Sequence, residues 1–232
     1  MMMSRVTPEK NGPAVDSIAG LVNLIIAKAA DRPRFLVGIA GPPAAGKSTT
    51  AQSVAEALLE RVQDGAQALP DHRRSTAVIP MDGFHYDDAV LDQLGLRARK
   101  GSPPTFDCAG FEVLLKRLRA CEPDVAIPVF DRSLELSRAG AELVSAHTKF
   151  LIIEGNYLLL NYAPWSNLKP LFDMTVFIDV PIEVLDRRMV ARWDFYGRDR
   201  ASARAWIDGN DMPNVRNVLE HSVGADIRLT LA

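Results

Sequence analysis

The stretch FLVGIAGPPAAGKST, residues 35–49, decides the fold of this chain. Its first six residues are an apolar run typical of a strand buried in a parallel sheet. The segment from Gly41 to Ser48 then matches the pattern G-x-x-x-x-G-K-[ST], and a helical pattern runs from Lys47 to about Val62. A strand, this loop and a helix in succession are the context that a phosphate-binding loop requires.

The chemistry of this loop predicts a nucleotide site that uses ATP and Mg²⁺. Glycines let the backbone turn tightly and aim its N–H groups at phosphate oxygens, and the helix dipole adds to the attraction. Lys47 is expected to reach the β- and γ-phosphates, and the Ser48 hydroxyl is expected to bind Mg²⁺. The residues predicted to bind the nucleotide are Gly41, Pro42, Pro43, Ala44, Ala45, Gly46, Lys47, Ser48 and Thr49.

Strand-like and helix-like patterns alternate along most of the chain. Strands are predicted at 76–81, 125–131, 149–155, 174–180 and 225–231, in addition to 35–41. Such alternation predicts an α/β fold with a mostly parallel central sheet. We expect a mobile tail over 1–14 and a single domain over 15–232. The long, weakly periodic segment 82–107 is expected to be functional, because irregular segments of this length seldom occur otherwise.

Composition excludes several other classes of protein. The net charge is −2, so nothing favours a nucleic acid as the main partner. The apolar runs are too short to span a membrane, and the polar beginning of the chain does not resemble a signal peptide. Cys108 and Cys121 are too few for a disulfide framework and lack metal-ligand spacing. A cytoplasmic protein without membrane or nucleic-acid partners is expected, and its oligomeric state is not readable from the sequence.

Three carboxylates follow predicted strands. Asp82, Glu154 and Asp179 stand where ligands bind in open α/β sheets, beyond the carboxyl ends of the strands. An acid placed there can hold Mg²⁺ or accept a proton from an attacking hydroxyl. Asp82 could instead form a simple Asp-Gly turn, and Glu154 could simply open a loop. For Asp179, just before Pro181, we favour capping of the next helix.

An arginine cluster lies in RRMVARWDFYGRDR, residues 187–200. Arg188 and Arg192 share a helix face, and Arg198 follows a break at Gly197. Arginines on a mobile segment can close over phosphates, stabilise the transition state and exclude water. We therefore predict a lid near 188–200. The alternative is a solvated helix face on which arginines pair with the interspersed acids, Asp186, Asp194 and Asp199.

Taken together, the motifs resemble one family. GPPAAGKS, PMDGFHYDD, PVFDRS, IIEGNYLLL and RRMVARW…GRD are similar, in this order, to motifs of the phosphoribulokinase/uridine kinase group of P-loop kinases. PMDGFH, RKGSPPTFD and EGNYLLL look closest to its fructose transport system kinase branch. The resemblance covers about 35–214. It implies a three-layer α/β/α domain with about five parallel strands, and transfer of the ATP γ-phosphoryl group to a hydroxyl.

The resemblance also implies roles for particular residues. Asp82 matches the catalytic aspartate, Glu154 the acid near the metal and the attacking group, and Arg188, Arg192 and Arg198 the lid. With Lys47, these form the predicted catalytic set, while Ser48 and Glu154 form the predicted metal site. The residues predicted to contact the acceptor are Asp82, His85, Tyr86, Asp131, Arg138 and Asn156. Ordinary loop packing is an equal alternative for His85 and Tyr86.

The acceptor is expected to be a small molecule with hydroxyl groups. The segment FDRSLELSR lacks the histidine that precedes the last Ser-Arg in uridine kinases, which argues against uridine or cytidine. A sugar such as fructose is the first candidate, and a nucleoside or a pantothenate-like alcohol is the second. Two rivals from other classes are a nucleotide-dependent switch and a nucleic-acid-dependent ATPase. The segment Asn210-Asp-Met-Pro-Asn214 resembles the C-terminal motif of the branch, near the adenine or as a helix cap.

Overall fold

The computed structural model of the protein describes residues 12–63 and 75–231. Most of the predicted tail, 1–11, lies outside the described residues. Its last position, Ala14, belongs to a short strand that pairs with the final strand of the chain. Within the described part of the chain, no helix is both long enough and apolar enough to cross a lipid bilayer.

Eight strands lie in the described ranges. They are β1 (Ala14–Val15), β2 (Phe35–Ala40), β3 (Thr76–Pro80), β4 (Val125–Asp131), β5 (Leu136–Val144), β6 (Phe150–Gly155), β7 (Met174–Ile178) and β8 (Ile227–Leu229). The α-helices of these ranges are α1 (Ile18–Ala29), α2 (Lys47–Gln63), α3 (Asp88–Gln93), α4 (Cys108–Arg119), α5 (Ile182–Phe195), α6 (Arg200–Trp206) and α7 (Met212–His221). A π-helical turn, Ile207–Asp211, joins α6 to α7.

Side-chain caps begin several of these helices where the sequence allows them. The Ser17 hydroxyl accepts a hydrogen bond from the Gly20 N–H at the start of α1. Asp107 does the same for Gly110 in α4, and Asp199 caps α6. Each cap satisfies an N–H group that has no partner within its own helix.

The central sheet of the described chain has six strands in the order β1-β8-β7-β2-β6-β3, and all of its pairs are parallel. The phosphate-loop strand β2 therefore lies in the interior of the sheet, between β6 and β7. Parallel neighbours end at the same edge, so the loops after β2, β3 and β6 meet there. The predicted fold class is confirmed, and the short β1 makes the sheet one strand wider than expected.

The core forms two layers, one on each face of this sheet. Along β2, Phe35, Val37 and Ile39 pack on one side, whereas Leu36 and Ala40 pack on the other. Helices α1, α2 and α5 cover the first side, and α4 covers the second. Since every β2 side chain is buried, the strand reads as a continuous apolar run rather than an alternating one.

Strand β4 does not join the central sheet, although its sequence pattern resembles that of the parallel strands. It pairs antiparallel with β5, and the two form a separate hairpin. We did not predict β5, whose side chains are mostly half-buried or exposed and give no apolar run. This hairpin, residues 125–144, packs against the turn that carries Asp82 and so becomes part of the site described below.

Candidate active site at the carboxyl edge of the sheet

The phosphate loop joins β2 to α2. Gly46 adopts a φ of +90°, which strongly favours glycine and turns the backbone into the helix. Lys47 is buried, and its Nζ donates a hydrogen bond to the Pro42 carbonyl oxygen at 3.0 Å. The lysine thus lies across the loop whose N–H groups are predicted to bind phosphate. Burial lowers the pKa of Lys47, while the negative charges of Glu154 and Asp82 oppose this effect.

The two predicted metal ligands are in contact. The Ser48 hydroxyl donates a hydrogen bond to Glu154 Oε1 at 2.8 Å, because Glu154 lies on β6 beside the phosphate-loop strand. Burial, together with the charge of Asp82, raises the pKa of Glu154. A divalent cation would offset both effects and stabilise the ionised carboxylate.

The donor set fits Mg²⁺ on chemical grounds. A hydroxyl and one carboxylate are the hard oxygen ligands that Mg²⁺ uses when phosphates and water complete its coordination. Clusters of three or more His, Cys, Asp or Glu side chains, which would indicate an all-protein metal site, do not occur among the described residues. This donor set would need phosphate and water oxygens to complete the coordination of Mg²⁺.

Asp82 lies directly beyond β3, in a short 3₁₀ turn over Met81–Phe84. In the register of the sheet, Pro80 on β3 is level with Glu154 on β6. Asp82 follows Pro80 by two residues, so Asp82 and Glu154 lie at the same edge of the sheet. The Asp82 carboxylate is a quarter exposed, and its Oδ2 accepts a hydrogen bond from Arg132 at 2.9 Å. Arg132 comes from the β4–β5 hairpin and was not among the residues predicted from the sequence.

His85 is held in the wall of the site. Its Nδ1 lies 2.9 Å from the Asp82 carbonyl oxygen. The centroid of its ring lies 3.9 Å from that of Phe106 and 4.8 Å from that of Phe130. Burial is the main cause that lowers the pKa of His85 and favours the neutral ring. This packing supports the loop-packing alternative for His85, because its ring contacts two aromatic side chains and its Nδ1 lies beside a backbone carbonyl oxygen.

The other predicted acceptor residues differ in their surroundings. Tyr86 is half-buried, and burial raises its pKa. Asp131 and Arg138 form an ion pair at 3.2 Å within the hairpin. Asp131 Oδ1 also accepts hydrogen bonds from Ser133 and so holds the turn of the hairpin. Asn156 Oδ1 is buried without a hydrogen-bond partner among the described residues, at the end of β6.

The three predicted lid arginines point to three different places. Arg188 Nη1 lies 3.3 Å from the carbonyl oxygens of Ala44 and Ala45, so it contacts the phosphate loop. Arg192 lies 3.6 Å from Asp211, and Arg198 stacks between the indoles of Trp193 and Trp206, 4.6 and 5.1 Å from the ring centroids. The sequence pattern could not separate these environments, since all three lie within one short segment.

The acids near the lid also have partners that differ from the expected ones. Asp186 pairs with Arg204 rather than with a lid arginine. The capping role favoured for Asp179 is wrong: α5 begins after Pro181 without a side-chain cap, and Asp179 lies 3.6 Å from Arg228. Pro181 is itself the N-cap residue and has no side-chain acceptor, and its carbonyl oxygen accepts hydrogen bonds from the Val184 and Leu185 N–H groups.

The C-terminal motif is buried in the π-helical turn and the start of α7. Asn210 donates a hydrogen bond to the Lys100 carbonyl oxygen, and Asp211 accepts one from the Trp193 indole at 2.9 Å. Burial raises the pKa of Asp211. These contacts tie α5, which carries two of the predicted lid arginines, to the loop after β3, and this structural role differs from a simple helix cap.

The class of protein follows from three features: a parallel sheet between two layers of helices, a phosphate loop beside a buried acid, and an aspartate at the same edge of the sheet. Together they define a P-loop nucleotide-dependent phosphotransferase. The family model described as "Phosphoribulokinase / Uridine kinase family" matches residues 36–223. The chain belongs to this family, which confirms the resemblance in the sequence. It is an ATP-dependent phosphotransferase with an alcohol group as acceptor.

Individual relatives agree with this assignment. The crystal structure of a "putative fructose transport system kinase" from Silicibacter sp. TM1040 has a TM-score of 0.83 and 35% identity, covering 92% of this chain and 99% of that one. A "Putative uridine kinase" of Schizosaccharomyces pombe is 32% identical, over 94% of this chain and 92% of that protein. A "Pantothenate kinase" of Mycolicibacterium vanbaalenii is also 32% identical, over 70% of this chain but only 49% of its own length.

Proposed function

We propose that this kinase transfers the γ-phosphoryl group of ATP to a hydroxyl of a small, hydroxyl-rich metabolite, with a sugar such as fructose as the first candidate. The observation that carries the proposal is the position of Asp82 at the same sheet edge as Lys47 and Glu154. A carboxylate there can accept the proton of a hydroxyl that approaches the end of the triphosphate.

In the proposed mechanism each residue has a separate task. The N–H groups of the phosphate loop and Lys47 bind the phosphates, with Lys47 leaving the Pro42 carbonyl for the nucleotide. Asp82 orients the acceptor hydroxyl and takes its proton. Arg188, already beside the loop, binds the phosphate from the lid side. Ser48 and Glu154 would hold Mg²⁺, which would supply positive charge to offset the charge of the bound phosphates.

The choice of acceptor rests on resemblance to the fructose transport system kinase branch, which the Silicibacter structure supports by its description. The names of the Schizosaccharomyces and Mycolicibacterium relatives favour the alternatives, a nucleoside and a pantothenate-like alcohol. The missing histidine in FDRSLELSR counts against uridine. The cytoplasm is the proposed place of action, in keeping with two unpaired cysteines in the described chain.

An ADP-release assay over a panel of sugars, polyols, nucleosides and pantothenate tests the proposal. We expect one or more sugars to raise the rate of ADP release above the rate without an acceptor, and fructose is the first sugar to test. Turnover with nucleosides alone would overturn the sugar assignment and leave the kinase class intact. ATP binding without stimulation by any acceptor would instead support the nucleotide-dependent switch, and stimulation by DNA or RNA would support the nucleic-acid-dependent ATPase.

A further inference from the structure

Arg132 differs from the lid arginines in what its guanidinium touches. Nη2 donates a hydrogen bond to Asp82, and no other hydrogen bond of the Arg132 guanidinium occurs within the described parts of the chain. The side chain is 56% exposed. In contrast, Arg192 is paired with Asp211 and Arg198 is stacked between two indoles. Arg132 therefore brings free N–H donors next to the proposed catalytic base.

The hairpin holds Arg132 at this point. Gly83, next to Asp82, packs so closely on the hairpin that an added Cβ would collide with the Pro128 carbonyl oxygen. Asp131 Oδ1 fixes the turn after Arg132 by accepting hydrogen bonds from the Ser133 N–H at 3.0 Å and the Ser133 hydroxyl at 2.6 Å. The Arg132 guanidinium also lies 5.9 Å from the ring centroid of Phe130. Its position is thus set by a rigid element outside the lid.

The charge of Arg132 acts on the phosphate loop and on the predicted metal position as well as on Asp82. It adds to the decrease in the pKa of Lys47 and offsets part of the increase in the pKa of Glu154. Without a cation between them, Asp82 and the incoming γ-phosphate would repel each other. A guanidinium can bind both at once, because its donors form a planar fork that suits carboxylate and phosphate oxygens.

We propose that Arg132 is a catalytic residue that bridges Asp82 and the transferring phosphoryl group, so that one arginine comes from the hairpin in addition to the lid. The proposal rests on the proposed function. In the reaction, the acceptor oxygen bonds to the γ-phosphorus as the bond to the β–γ bridging oxygen breaks. That bridging oxygen leaves on ADP with the electron pair, and the hydroxyl proton passes to Asp82. Arg132 balances the negative charge shared between these groups.

The first test separates action on phosphate from action through Asp82. Arg132→Gln is expected to lower kcat by roughly 10²–10³-fold, with the KM for ATP and for the acceptor within about threefold of wild type. The double variant with Arg132→Gln and Asp82→Asn should have a kcat at least about tenfold lower than that of Asp82→Asn alone. If the double variant is no slower than Asp82→Asn, Arg132 only positions Asp82. If KM for the acceptor rises while kcat is unchanged, Arg132 binds the acceptor. Either result overturns the proposal.

The second test needs no acceptor, so it also works if every candidate in the panel fails. Binding of ADP with Mg²⁺ and aluminium fluoride, a mimic of the transferring phosphoryl group, is measured by calorimetry beside binding of ADP with Mg²⁺ alone. For Arg132→Gln we expect the affinity for ADP to stay within about threefold of wild type. The increase in ADP affinity that aluminium fluoride causes should be smaller than in wild type by about tenfold or more. Arg132→Lys should recover only part of that gain, because lysine lacks the planar fork.

Arg117→Gln is the matched control for both tests, since Arg117 is an exposed arginine on α4 that pairs with Glu122. It is expected to behave as wild type. An unchanged gain from aluminium fluoride in Arg132→Gln overturns the bridging role while the kinase function stands. If the wild-type protein shows neither ADP binding nor turnover, it is the proposed function that fails.

Discussion

At the scale of single residues, the site depends on positive and negative side chains that the fold brings close together. Lys47 is buried, and the negative charges of Glu154 and Asp82 act on it, while Asp82 accepts a hydrogen bond from Arg132. The two acids have different surroundings, which suit different tasks. Glu154 is buried and hydrogen-bonded to Ser48, whereas Asp82 is more exposed and paired with Arg132. One can hold a cation, and the other can exchange a proton with a bound hydroxyl.

Asp82→Asn tests the proton-accepting task. The amide keeps the size and much of the hydrogen bonding of the carboxylate but cannot take a proton. We expect kcat to fall by roughly 10²–10⁴-fold, the usual range for loss of a general base. ATP affinity, measured by calorimetry, should change little because the phosphate loop carries the binding. Asp92→Asn, on the exposed face of α3, is the control and should keep full activity. Lost ATP binding with high residual turnover would move the role of base to Glu154.

At the scale of elements, helix α5 contacts the phosphate loop through Arg188 and the π-helical turn through Arg192 and Trp193. Past these contacts, Arg198 stacks on the indoles of Trp193 and Trp206, whereas Phe195 is 84% exposed. Gly197 adopts a φ of +71° where α5 gives way to α6. A helix that contacts the phosphate loop and is followed by a glycine turn is suited to close over a bound nucleotide.

Hydrogen exchange tests this closure. Residues 188–200 should exchange rapidly in the free protein and slow down on binding an ATP analogue, most strongly with the acceptor also present. Helix α4, which packs on the opposite face of the sheet, serves as the internal reference and should be unaffected. Slow exchange in 188–200 without nucleotide, unchanged on its addition, would show that this segment is a static helix end.

At the scale of the whole molecule, a buried arginine joins segments that are distant in sequence. Arg34, just before β2, is 5% exposed and donates hydrogen bonds to the carbonyl oxygens of Thr148, Leu118 and Ser145, at 3.0, 2.6 and 2.6 Å. These carbonyls belong to the end of α4 and to the segment between β5 and β6. Arg34 therefore links the hairpin and α4 to the central sheet.

Arg34→Met should lower the free energy of unfolding by about 2–4 kcal/mol, because three carbonyl groups lose a hydrogen bond from a charged donor at once. Urea unfolding followed by circular dichroism measures the change. Arg34→Lys is expected to fall between wild type and Arg34→Met, since one ammonium group cannot reach all three oxygens in the same geometry. The exposed Arg117→Met serves as a reference and should cost less than about 1 kcal/mol. An equal, small loss in both methionine variants would contradict the linking role of Arg34.

Much of this protein could be predicted from local sequence. The apolar run before Gly41, the loop itself and the helix after Lys47 are consecutive in the chain, so their pattern alone predicts them. The acids at the ends of β3 and β6 could also be predicted, because parallel strands end at one edge of a sheet. The order of the motifs was enough to indicate the family, which the comparisons confirm.

The partners of these residues were decided only by the tertiary structure. Arg132 and Asp82 are fifty positions apart, and their contact depends on how the β4–β5 hairpin packs against Gly83. No local periodicity records that packing, since β4 looks like a parallel strand and β5 has no apolar run. Sequence patterns report which face of an element is buried. Which charged groups meet is decided by the free energy of the whole packed arrangement, because an ion pair between distant segments forms only when the fold brings both there.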